Sequence, residues 1–257
     1  MGTAAGKPFL LLSIRTEERA ALEEHAAFAR FLGTTVADLP RVELGTAPLG
    51  EVDLDAWSGI ILGGGAFTAS DPQEGKSPEQ VQAETDLARL LDEVVARDHP
   101  FLGACYGIGT VGLHQGAVVD RSHPEPVGPV SVELTEAGAA DPLFAGLPRS
   151  FRAYGGHKEA ISRLPDHAVA LATSEAAPVQ AFRVGRNVYA TQFHPELDLE
   201  GVLTRIAVYA GYGYFDPSEQ DALSAASRAV EVSHPMTILK NFAARYRSDG
   251  PADATNP

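Results

Sequence analysis

The chain has 257 residues, 44% of them hydrophobic, enough for one large α/β domain with a full core. A lone cysteine excludes an intramolecular disulfide framework and a multi-thiolate metal site, and no run nears the ~18 apolar residues that span a bilayer. The net charge of −14 disfavours nucleic acid as a partner, and the apolar stretch at 9–12 is too short for a secretion signal, so the cytoplasm is the expected compartment.

In chain order, Pro8 to Ile14 reads as a buried strand. Thr16 is placed to cap the helix that follows, Glu17 and Glu18 suit its first turn, and Gly33 suits its end. A short apolar strand, Gly59 to Leu62, runs into Gly63-Gly64-Gly65. Ser77 then fits an N-cap, Pro78 the first helical position and Gln80 the reciprocal position of a capping box, for a helix reaching about Arg97. Pro100 to Ala104 forms another strand. After Gly116 come short strand-like segments at 117–119, 130–134, 168–172, 179–184 and 188–193, and then helices at 200–209, 218–230 and 235–246. This order predicts an α/β fold: a mainly parallel, open twisted sheet with helices on both faces and a small antiparallel extension. A single domain is expected over 1–246, with helices 200–246 appended and 247–257 as a frayed tail.

The chemistry centres on Cys105. It stands in Gly103-Ala104-Cys105-Tyr106-Gly107, where an apolar strand ends and a glycine-rich helical segment begins. That is the layout of a nucleophile elbow, which lifts a side chain above the sheet at the positive end of a helix, where a thiolate is favoured. A thiol nucleophile needs a base, and the base needs an orienting acceptor. Eight histidines compete. His194 lies just past the strand at 188–193, hence at the carboxyl edge of the sheet beside Cys105, and Glu196 is close enough to fix its tautomer. His123-Pro124-Glu125 carries the same three letters, but its proline-rich stretch, 121–129, reads as an exposed loop. For an oxyanion hole, the Tyr106 amide is the expected first donor. The second comes from the triple glycine, at Gly65 or Gly64.

Ile60-Ile61-Leu62-Gly63-Gly64-Gly65, the Cys105 elbow and Gln192-Phe193-His194-Pro195-Glu196 together resemble the three signature blocks of the class I, triad-type glutamine amidotransferases, over roughly residues 8 to 210. The likeness is greatest to the amidotransferase domain of GMP synthase and its stand-alone relatives, and it implies their flavodoxin-like fold. In that family the cysteine attacks the glutamine side-chain amide, the histidine moves the proton to leaving ammonia, and the glutamate orients the histidine. These roles fall on Cys105, His194 and Glu196. The resemblance assigns the second oxyanion glycine to Gly65, and to Gly64, Gly156 and His157 a part in holding substrate, as in the family's Ser/Gly-His segment.

Two positions depart from the family. Gly109 stands where members usually carry a glutamine that contacts substrate, and Ala66 where many carry proline. Glutamine or another γ-glutamyl compound is therefore the expected substrate. A γ-glutamyl hydrolase or peptidase, or a catalytically degenerate regulatory module, is the alternative. No ATP-binding loop occurs, so ammonia would pass to a synthetase-type acceptor protein in trans, or hydrolysis is the whole reaction. Neither metal nor organic cofactor is implied.

Overall fold

The computed structural model describes residues 6–247, so the expected tail lies, apart from Arg247, outside the described residues. The strands are β1 (Phe9–Ser13), β2 (Arg41–Glu43), β3 (Gly59–Leu62), β4 (Phe101–Ala104), β5 (Val118–Asp120), β6 (Glu125–Leu134), β7 (Ser150–His157), β8 (Ala160–Arg163), β9 (Ala168–Thr173), β10 (Ala181–Val184) and β11 (Val188–Thr191). The α-helices are α1 (Glu18–Leu32), α2 (Pro78–Ala96), α3 (Tyr106–His114), α4 (Glu136–Ala140), α5 (Leu199–Val208), α6 (Gln220–Arg228) and α7 (Met236–Tyr246).

Nine strands form one mixed sheet in the order β2-β1-β3-β4-β11-β10-β9-β6-β7, and β5 pairs with β8 separately. From β2 through β11 every pairing is parallel; from β11 to β7 every pairing is antiparallel. The inner parallel strands β1, β3, β4 and β11 are buried and mostly apolar because helices cover both faces, whereas the edge strand β2 is partly exposed. Alternate residues sort accordingly: Leu11, Ile61 and Leu102 pack with Phe28 of α1 and Phe242 of α7, while Leu10, Leu12, Ile60 and Leu62 pack with Leu87 and Leu91 of α2 and Val111 of α3. Parallel strands also bring their carboxyl ends to one edge, and β1, β3, β4 and β11 deliver Arg15, the triple glycine, Cys105 and His194 there.

Three of the expected local features take a different form. Thr16 does not cap α1: Glu17 holds the N-cap position without a side-chain hydrogen bond, and the Thr16 hydroxyl turns to Glu17 Oε1. Ser77 caps α2 as expected, accepting from the Gln80 amide, but Gln80 does not return the bond. Its side-chain amide donates to the Thr68 carbonyl and to Glu84, tying the loop before α2 to the helix. The stretch 121–129 is not simply a loop. Residues from Glu125 onward belong to β6, whose register against β7 shifts between Glu125 and Gly128, so Pro126 and Pro129 sit at or beside an irregularity.

The extension is held to α4 by close backbone packing. A methyl added at Gly138 would stand 1.9 Å from the Leu171 carbonyl oxygen of β9. Gly138→Ala is expected to lower unfolding stability by roughly 2–3 kcal/mol, measured by denaturant titration, because backbone rather than a flexible side chain must yield.

Candidate active site

Cys105 occupies the single residue between β4 and α3 with φ +53° and ψ −91°, a left-handed conformation rare for a residue with a side chain. Such geometry costs on the order of 1–3 kcal/mol and persists only where the surroundings impose it. Two contacts do so. The Cys105 amide donates to the Thr191 carbonyl of β11 at 2.8 Å. In addition, a methyl at Gly103 would lie 2.9 Å from Gly107 Cα, so only this glycine pair lets the helix start so close to the strand. The sulfur is half-buried and unpaired with any other cysteine. The amide of Tyr106 heads α3, where helical geometry offers no intrahelical acceptor.

His194 is placed from β11 and from the antiparallel extension together: its amide donates to the Tyr154 carbonyl of β7 at 3.0 Å. Its Nδ1 meets Glu196 Oε1 at 2.7 Å, which leaves Nε2 as the nitrogen available in the pocket that the ring shares with Cys105. Both partners are enclosed, His194 at 8% exposure and Glu196 at 0%. Burial opposes the imidazolium, yet the negative charge of Glu196 and the Cys105 sulfur outweigh it and push His194 up to about 10. Burial likewise opposes the Glu196 carboxylate, but His194 and Arg205 hold it below the ordinary carboxylate range.

The triple glycine is rigidly packed rather than merely flexible. None of the three takes a positive φ. A methyl at Gly64 would stand 2.6 Å from His194 Cε1, 3.0 Å from Arg15 Nη2 and 3.4 Å from Cys105 Cβ; one at Gly63 would strike Glu24, and one at Gly65 Ile14. Gly64→Ala is expected to cut turnover by about 100-fold by displacing the imidazole, read by steady-state kinetics beside a thermal unfolding curve that shows the variant folded. Gly65 and Gly156 line the same pocket as Cys105 and His194. The ring of His157 is committed elsewhere, its Nε2 to Glu125 Oε2 and its Nδ1 to the Glu159 carbonyl, both at 2.8 Å. Only its backbone remains for substrate. The look-alike His123 is half-buried and bonds the Ala176 carbonyl, outside the site, whereas its neighbour Glu125 is the carboxylate that anchors His157.

Several site residues are not apparent from the sequence. Arg15, 4% exposed, donates from Nε to Glu24 Oε1 at 2.6 Å and from Nη1 to the Tyr209 hydroxyl at 2.8 Å, and lines the Cys105 pocket. Glu24 and Tyr209 raise it despite burial, so it is a permanent cation. Past α5 the chain folds back so that Tyr209, Tyr214 and Phe215 wall the pocket, and the Tyr214 hydroxyl donates to the Gly65 carbonyl at 3.3 Å. The one signal for any of these is an arginine at the carboxyl edge of a buried strand. Among the described residues no group of three or more His, Cys, Asp or Glu side chains could hold a metal ion, and no helix is long and apolar enough to cross a membrane.

An open α/β sheet that brings a thiol on a strained turn to the same edge as a buried His–carboxylate pair is an arrangement suited to nucleophilic attack on a carbonyl group. The sequence model of the family described as glutamine amidotransferase class-I matches residues 42–202, and the chain belongs to that family. A glutamine-hydrolyzing GMP synthase subunit from Thermoplasma acidophilum is 32% identical over 148 residues, covering 57% of this chain and 66% of the relative. Its counterpart from Thermococcus kodakarensis is 29% identical over 169 residues, covering 65% and 79%. The chain thus spans just under two thirds of the Thermoplasma relative's length. A glutamine amidotransferase from Thermotoga maritima shares the fold with a TM-score of 0.74 at 21% identity, over 93% of this chain and 98% of that one.

Proposed function

We propose that this chain hydrolyses the side-chain amide of glutamine through a γ-glutamyl thioester on Cys105. The Cys105 thiolate attacks the amide carbon, and the oxyanion that forms is held by the amides of Tyr106 and Gly65, with Gly64 the less suited donor. His194, kept in place by Glu196, gives its proton to the leaving nitrogen as ammonia departs. A water molecule, deprotonated by His194, then attacks the thioester carbon and releases glutamate and the free thiol. Gly64, Gly156 and the backbone of His157 line the substrate's path. What carries this reading is the convergence of a strained, half-buried thiol and a buried imidazole–carboxylate pair at one sheet edge.

The ammonia would pass to a separate synthetase-type protein, as the names of the relatives suggest for them. Residues 1–246 would act as one domain in the cytoplasm. The aromatic wall of Tyr214 and Phe215 favours free glutamine over bulkier γ-glutamyl conjugates. The test is ammonia release from glutamine and from a panel of γ-glutamyl conjugates by the purified chain. Glutamine turned over faster than any conjugate supports the proposal. A preference for conjugates replaces it with the hydrolase reading, and no turnover of either, with no reaction of Cys105 towards an electrophilic glutamine analogue, leaves a regulatory module.

A further inference from the structure

A second buried imidazole–carboxylate pair stands outside the triad. His157 closes β7 and Glu125 opens β6, and the two residues are partners across the sheet. His157 Nε2 meets Glu125 Oε2 at 2.8 Å, and its Nδ1 meets the Glu159 carbonyl at 2.8 Å, all three residues being buried. Burial opposes the Glu125 carboxylate, but hydrogen bonds from His157 and Ser174 hold it below the ordinary carboxylate range. A carbonyl and an ionised carboxylate only accept, so both ring nitrogens donate and the ring is the cation that Glu125 neutralises. Glu125 is itself fixed from the neighbouring strands. Its Oε1 accepts from Ser174 Oγ at 2.9 Å and its Oε2 from the side-chain amide of the fully buried Gln180.

The pair sits where the sheet is irregular. Gly128 pairs with Gly155 and Glu125 with His157, so Pro126 and Val127 together stand opposite the single residue Gly156, a bulge with one extra residue in β6. A methyl at Gly156 would stand 2.7 Å from Val127 Cγ2 and 2.8 Å from Val127 Cα, so the bulge and the glycine fit against each other with no room for a side chain. Val127, Gly155 and Gly156 all line the pocket that holds Cys105 and His194. The ion pair therefore clasps the two strands one residue away from the pocket wall they form.

We propose that Glu125 is a positioning residue for the substrate: through the His157 ring it locks the β6 bulge, and so sets Val127 and the Gly155-Gly156 backbone as the wall against which the substrate is held beside Cys105. Neither side chain of the pair touches the substrate. Replacing the carboxylate leaves the imidazolium without its counter-ion, and the ring must shift or lose a proton, which frees the bulge. The inference rests on the glutamine-hydrolysing reading above.

The experiment compares the wild type, Glu125→Gln and Val127→Ala. Each is measured by steady-state kinetics with glutamine, by alkylation of Cys105 with iodoacetamide or with a diazoketone analogue of glutamine, and by thermal unfolding. Glu125→Gln is expected to raise KM for glutamine by about 10-fold with kcat held within about three-fold, because the wall moves while the triad stays. Iodoacetamide, which needs no wall, should react at within about two-fold of the wild-type rate, whereas the glutamine analogue should react about 10-fold more slowly. Val127→Ala leaves the ion pair intact and should raise KM by about three-fold or more, which keeps the proposal refutable if Glu125→Gln does not fold. An unchanged KM in either folded variant, or equal slowing of both reagents in Glu125→Gln, overturns the proposal. Absence of turnover in the wild type instead sinks the glutamine-hydrolysing reading itself, a failure visible without any variant.

Discussion

Cys105→Ala is expected to reduce ammonia release from glutamine by about 1,000-fold or more, with the overall fold retained. The magnitude follows from the role: no other cysteine exists, and a residual oxyanion site without a nucleophile leaves only water to attack. Retention of the fold follows from the packing, because the sulfur is half-buried at the sheet edge and the turn is imposed by Gly103, Gly107 and the Thr191 carbonyl. Alanine inherits the strained φ of +53°, whereas glycine tolerates it. Cys105→Gly should therefore be more stable than Cys105→Ala by about 1 kcal/mol, while both are inactive. A denaturant titration of the pair measures the strain stored at the nucleophile directly.

Glu196→Gln is expected to lower kcat by about 100- to 1,000-fold and to move the alkaline limb of the pH–rate profile towards neutrality. Glu196 is fully enclosed and its Oε1 receives the Nδ1 proton of His194, so the amide replacement disturbs both the tautomer and the charge. With the carboxylate present, His194 is held up to about 10 against the opposing effect of burial. Removing the negative charge lets burial dominate, and the imidazolium loses its proton at lower pH. Stability follows the same sign. The contribution of a raised histidine is fully present below its unfolded value of about 6.5 and is lost as pH rises through about 10. Wild type and Glu196→Gln should therefore differ most in stability below about pH 6.5, with the difference shrinking as pH rises through about 10.

Much of the fold is legible in the sequence because its inner parallel strands are short, mostly apolar runs, and because α1 and α2 end or begin with residues whose backbone preferences are strong, Gly33 and Ser77-Pro78. The strands β7 and β8 have no counterpart among the expected segments. β7 ends in Gly155-Gly156-His157, and its pairing with β6 includes Pro129 and an irregular register, so neither alternation nor composition marks it as sheet. The elbow at Cys105 and the segment at His194 are visible because local sequence builds each of them. Arg15, Tyr209, Tyr214 and Phe215 are hidden for the opposite reason. Their place in the pocket depends on contacts across the whole chain, such as Arg15 with Tyr209, which no local pattern records. The same holds for Gly64, whose need for no side chain becomes evident only when His194 and Arg15 are seen to converge on it.

The central claim is that glutamine is opened by covalent attack of Cys105. Rapid acid quench of the protein with glutamine, followed by intact-mass and peptide mass spectrometry, tests it most directly. The expected result is a γ-glutamyl adduct confined to the peptide containing Cys105, formed and consumed at rates consistent with turnover and absent in Cys105→Ala. Glutamine hydrolysis at an undiminished rate in Cys105→Ala, or an adduct on any other residue, would contradict it.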